Sequence, residues 1–144
     1  MAKLSEQLAE LMAEDNYTQS TLASALNISH ANISLYLSGN SEPNFNFLIA
    51  LVEFFNCSAD FLIGLTDYPK RDKIYTPVKP FGIHLREILK LKGKSQRSLI
   101  ISTEISWNTL HNWLIAKSLP SIENLKKLSK FFECSVDFVL GRES

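Results

Sequence analysis

TQSTLASALNISHANISLYLSGN, residues 18–40, carries two short helical patterns with a corner between them. Thr18 can cap a helix in which Leu22, Ala23 and Leu26 recur at helical spacing. Asn27-Ile28-Ser29 makes a tight corner. Ser29 can cap the next helix, which carries Ile33, Tyr36 and Leu37. Gly39 then stops it, because glycine enters the left-handed region without a Cβ penalty. Residues 95–118, SQRSLIISTEISWNTLHNWLIAKS, read the same way, with Ser95 and Ser106 as caps. Ala116 stands where Gly39 stands in the first stretch, so this second helix is expected to end less sharply.

The likeness extends outward in both directions. Residues 4–64 repeat as residues 81–141 with an offset of 77, no gap and 18 identities in 61 aligned positions. The 144-residue length suggests one domain, but the repeat overrides that prior because each copy has its own start, core and stop signals. Leu4, Leu8, Leu11 and Met12 make an apolar stripe for a first helix, with Ser5 as its expected N-cap. Phe47, Leu48, Leu51, Val52, Phe54 and Phe55 make a fourth. Ser58 caps a short fifth, with Asp60 near its positive end and Gly64 past its last turn. In the second copy Leu85, Ile88 and Leu89 open the series and Gly93 breaks it. Leu125, Leu128, Phe131 and Phe132 follow, and Ser135 caps the last helix. No stretch alternates with period two over a useful length. The expected fold is all-α, with five helices in each copy.

Between the copies lies LTDYPKRDKIYTPVKP, residues 65–80. Its prolines oppose helix and its cations keep it soluble, so an extended, stiffened linker is expected. The expected domains are residues 1–66 and 81–144, with the linker at 67–80. Fully stretched, the connector would reach roughly 50 Å.

Composition narrows the function classes. No run of 18 apolar residues exists, so no membrane span is expected. The N-terminus lacks the apolar stretch of a secretory signal, which points to the cytoplasm. Cys57 and Cys134 fall at equivalent core-like positions and are expected as reduced, buried thiols. No Cys, His or carboxylate cluster has metal-site spacing, and no nucleophile, base and orienting group fall together. Neither a metal, a cofactor nor a catalytic residue is expected. Two units of about 60 residues would each be marginal alone, so contact between the copies, or a dimer, would help.

Net charge is zero, but it is unevenly divided. Residues 1–66 hold one cation and seven carboxylates, a balance of −6, whereas residues 67–144 hold 14 cations and eight carboxylates, a balance of +6. A polyanion attracts the second half and repels the first.

Helices two and three of each copy resemble a helix-turn-helix. Each whole copy resembles the five-helix, lambda-repressor-like module of the phage-repressor (Cro-like, xenobiotic-response-element) family. The marks are Gln19/Gln96, Leu22/Leu99, Ile28-Ser29/Ile105-Ser106, Ile33/Leu110, Pro43/Pro120 and the closing SADFLIG/SVDFVLG. The resemblance covers about 122 of 144 residues. It implies a sequence-specific regulator that binds double-stranded DNA, of bacterial or phage type, commonly a homodimer.

By family position, helix three lies in the major groove with its first turns toward base edges. The second copy then offers Ser106, Trp107, Asn108, His111 and Asn112. Asn108 and Asn112 are the preferred base readers, since an amide pairs bidentately with adenine. Gln96, Arg97, Lys94 and Lys117 would meet phosphates. Each has a plainer reading: solvated helix residues for the asparagines, a solvated face for the lysines, and a shield over the core edge for Trp107.

The first copy would present Gln19, Ser29, His30, Ala31, Ser34 and Leu35. With no cation from residue 4 to residue 69, two readings stand open. Its helix enters DNA weakly, carried by the basic twin, or it has become a dimerisation or partner surface. No sensor segment follows Gly141, so a signal is expected through a partner regulator or through concentration. The alternative class is an interaction protein, antirepressor or antitoxin-like, that binds another regulator instead of DNA.

Overall fold

The computed structural model describes residues 3–143. Met1, Ala2 and Ser144, the outermost residues of the expected domains, lie outside them. The chain divides into two compact units, Met1–Ile74 and Tyr75–Ser144. Among the described residues there are ten helices and no strand.

The first unit contains α1 (Leu4–Glu14), α2 (Gln19–Leu26), α3 (His30–Ser38), α4 (Phe45–Phe55) and α5 (Ala59–Leu62). Thr18 and Thr21 form a capping box at α2, and Ser29, Asn44 and Ser58 cap α3, α4 and α5. Ser5 is not a cap. The extended residue before the first helix is Lys3, which makes no side-chain cap, and the helix begins at the buried Leu4. Leu8, Leu11, Leu22, Ile33, Leu48, Leu51 and Phe55 meet in the core. Tyr17 packs edge-on against Phe54, with ring centroids 5.0 Å apart.

The second unit repeats the order with α6 (Phe81–Lys92), α7 (Gln96–Thr103), α8 (Trp107–Leu114), α9 (Ile122–Phe132) and α10 (Val136–Leu140). Ser95, Ser106, Ser121 and Ser135 supply the caps. The core is Leu85, Ile88, Leu99, Leu110, Trp113, Leu125, Leu128 and Phe132. At Gly82 a Cβ would stand 2.5 Å from the Trp113 carbonyl oxygen. Only glycine admits that approach of α6 to the end of α8, and it fixes where α8 sits.

The corners follow the repeat even where the residues do not. Asn27 and Glu104, Gly39 and Ala116, and Asn56 and Glu133 all take left-handed φ, between 47° and 79°. Ala116 makes the same turn as Gly39, and α8 ends one position earlier than α3 instead of fraying. Cys57 is buried while Cys134 is half-buried, and neither forms a disulfide.

The connector is irregular, as its prolines require, but it does not run clear of the domains. Ser58 N donates to Pro69 O at 2.8 Å, and Asn56 donates to the carbonyls of Arg71 and Lys73. Arg71 donates to Phe55 O at 3.0 Å and forks onto Asp15 at 2.9 and 2.5 Å. It also reaches Glu14 at 3.0 Å. Those bonds hold the Asp15 carboxyl below its ordinary range. In the second unit Thr76 N donates to Arg142 O at 2.9 Å and Thr76 Oγ1 to Gly141 O at 2.7 Å. The 50 Å reach presumed a chain without such tethers.

Candidate nucleic-acid interface

In the second unit, α7 and α8 are held by a short series of local bonds. Ser95 and Ser98 cap one another at the start of α7. Thr103 Oγ1 donates to Leu99 O at 2.6 Å and accepts from Ile105 N at 3.2 Å, which stiffens the corner. Ser106 Oγ accepts from Thr109 N at 3.1 Å, so this residue is first of all a cap. Leu110 and Trp113 turn inward. The opposite face of α8 is consequently open to solvent.

That face carries the expected readers. Asn108 and His111 are exposed and Asn112 is half-buried; neither asparagine is packed into the core. Trp107 is 54% exposed, with its ring 5.4 Å from that of His111. Arg97, Lys94 and Lys117 are exposed, and Gln96 is half-buried at the start of α7. Lys94 Nζ lies 5.3 Å from the centre of the Phe131 ring, a cation–π contact that steadies it.

In the first unit, Ser29 Oγ likewise caps α3, accepting from Asn32 N at 3.1 Å. His30, Ala31 and Leu35 are exposed. Ser34 Oγ donates to Gln19 Oε1 at 2.5 Å and ties α3 to α2. The equivalent of Ser34 in the second unit is His111, which turns to Trp107 instead. The two outer faces thus differ in kind: one of small residues, a histidine and a leucine in the first unit and an aromatic, amide-rich one in the second.

Charge follows the structural division. Unit Met1–Ile74 has four cations against nine carboxylates, and unit Tyr75–Ser144 has 11 cations against six. Of the first unit's four, Arg71 is bonded to Asp15 and Glu14. Among the described residues no helix is long and apolar enough to cross a membrane.

One buried residue escaped the sequence reading. His84, which stands alone in the sequence, lies inside the second unit with 7% of its side chain exposed. The signal was its repeat partner, Gln7, which is also buried.

Comparison with known proteins agrees with this geometry. Residues 8–62 match the helix-turn-helix family model, and residues 84–141 match that of the Cro/C1-type HTH DNA-binding domain. The chain is 26% identical over 128 residues to the HTH-type transcriptional regulator ImmR of Bacillus subtilis (strain 168), covering 86% of this chain and 97% of that protein. No solved structure matches the chain. With a match in each half and the same five-helix order twice, the chain belongs to the Cro/C1-type helix-turn-helix family of DNA-binding transcriptional regulators, as two tandem copies of its domain.

Proposed function

We propose that this protein is a sequence-specific regulator, acting in the cytoplasm on double-stranded DNA, in which the C-terminal unit supplies most of the affinity. The observation that carries the reading is the α8 face, with Asn108, His111 and Asn112 beside Trp107, on a unit with a positive surplus in which Lys94, Arg97 and Lys117 are exposed. Asparagine amides can read adenine edges, while these cations release counterions from phosphates. The N-terminal unit serves as a dimerisation or partner surface. Its negative surplus opposes approach to DNA, and Leu35, 41% exposed on α3, offers an apolar contact.

Titrating the full chain with mixed DNA at several salt concentrations tests the first part. Each phosphate neutralised adds about 0.9 to the slope of log affinity against log salt. Replacing Lys94, Arg97 and Lys117 together by alanine should flatten that slope by about 2.7. An unchanged slope would place the DNA face elsewhere. Failure of the chain to bind any DNA at low salt would transfer the reading to the interaction-protein class. For the second part, Leu35→Glu should weaken self-association in sedimentation and leave DNA affinity per bound unit intact. If self-association persists unchanged, α3 is not the dimer contact.

A further inference from the structure

His84 Nε2 lies 2.7 Å from the Phe138 carbonyl oxygen. A carbonyl only accepts, so Nε2 carries a proton, and in the singly protonated tautomer that this bond selects Nδ1 presents a lone pair. Nδ1 is buried and meets no hydrogen-bond partner. The nearby Glu87 Oε2, at 3.8 Å, is beyond hydrogen-bond distance and, as a carboxylate, is a second acceptor. In that tautomer two acceptors face each other with no donor between them. A buried polar atom left in this state is costly unless something fills the gap.

Next to it is a cavity of about 440 Å³, lined by Ile88, Leu91 and Phe138 with Thr76, Lys79, Glu87 and Glu143 at its polar side. Its size is that of a small-molecule site. His84 and Glu87 both line it, and Glu87, 57% exposed, can change rotamer within nanoseconds.

The first unit handles the same place differently. Gln7, the repeat partner of His84, donates to Phe61 O at 3.2 Å and to Thr66 O at 3.4 Å, so its amide is satisfied by the protein. Glu14, the repeat partner of Leu91, is a charged residue bonded to Arg71. In the second unit His84 Nε2 keeps the equivalent donation, to Phe138 O, while its other ring nitrogen is buried without a partner, and the charge has become a leucine that is 70% exposed. Charges of both signs border the opening: Lys79 lies 3.9 Å from Glu87, Glu143 is in the wall, and Lys92 Nζ stands 5.5 Å from the centre of the Phe138 ring.

We propose that this cavity between α6 and α10 binds a small uncharged ring compound carrying one N–H or O–H donor, the donor meeting His84 Nδ1 and the ring lying against Leu91, Ile88 and Phe138. Indole and 1-methylindole, which differ in that one donor, are suitable probes. Each is titrated into the full chain while the His84 ring and the Ile88 and Leu91 methyl groups are followed by NMR. Indole should give saturable shifts at these three residues, and 1-methylindole should bind about 3- to 10-fold more weakly for want of one hydrogen bond. Leu91→Glu, which restores the first unit's residue at an exposed position, should weaken indole binding about tenfold while the amide spectrum stays folded. The proposal is overturned by any of three results: no saturable shift up to about 10 mM indole, equal affinity for the two probes, or unaltered binding by the folded Leu91→Glu chain. None of these readouts involves DNA, so the site can fail or stand independently of the DNA-binding role.

Discussion

Replacing Arg142 by methionine should strongly destabilise the C-terminal unit and spare the N-terminal one. Arg142 Nη1 donates to Asp137 Oδ1 at 2.6 Å, with side chains only 1% and 3% exposed. The guanidinium also lies 4.2 Å from the centre of the Tyr75 ring, and its backbone carbonyl receives Thr76 N. Methionine keeps much of the volume and the apolar stem but leaves the Asp137 carboxylate buried without its cation. Breaking a buried pair in this way costs about 3–5 kcal/mol. A unit of 70 residues has about 4–10 kcal/mol in all, so the substitution removes between a third and all of it. The chain provides its own reporter, since Trp107 and Trp113 are its two tryptophans and both lie in this unit. With a urea dependence of about 1 kcal/mol per molar, the tryptophan fluorescence transition should fall by about 3 M or vanish. Circular dichroism should then show a remaining transition from the other unit. Adding Asp137→Asn should recover a large part of the loss, because it removes the stranded charge. A midpoint shift below about 1 M, or no recovery by the second substitution, would refute the reasoning.

Three further outcomes are expected. Ala116→Gly should raise the fluorescence midpoint, since alanine at φ 62° costs about 1 kcal/mol relative to glycine; a lower midpoint would mean that the Cβ there makes a contact worth more than the strain. Arg71→Ala should destabilise the first unit by about 1 kcal/mol near neutral pH, a modest figure because the fork onto Asp15 is partly solvated. The bonded Asp15 has a lowered pKa, so this contribution is full above the ordinary carboxylate range and is lost as pH falls through the lowered value; acid titration of wild type and variant should converge there. Finally, Asn112→Ala should cost about 1–3 kcal/mol of discrimination between operator and mixed DNA, while Lys94→Ala should weaken both about equally; footprinting titrations that give the reverse pattern would reassign the groove-facing side.

What could be read from the chain was mostly local. Thr18, Ser29, Ser58 and their partners 77 residues on declare helix starts because a cap bonds a backbone N–H only three residues ahead. The apolar spacing behind each cap marks the face that turns inward, and so the outward face bearing Asn108 and His111 follows. Longer-range features were hidden. Arg71 meets Asp15 across 56 residues, and nothing in a Pro- and Lys-rich connector announces such a partner. Gly82 looked like any glycine near a helix start until the carbonyls at the end of α8 were seen to press on it. Ser5 misled because Ser is a good cap anywhere, whereas the true start is set by burial of Leu4. His84 gave no motif, since its meaning lies in a mismatch with Gln7 rather than in its neighbours.

The matched backbone corners have a practical outcome. Ser29 to Gly39 and Ser106 to Ala116 are bracketed by the same two events, an extended capping serine and a left-handed exit. Everything between behaves as an interchangeable cassette whose inward residues satisfy the scaffold and whose outward residues are at liberty to vary. A protein built from two such sockets can retarget one while leaving the other untouched.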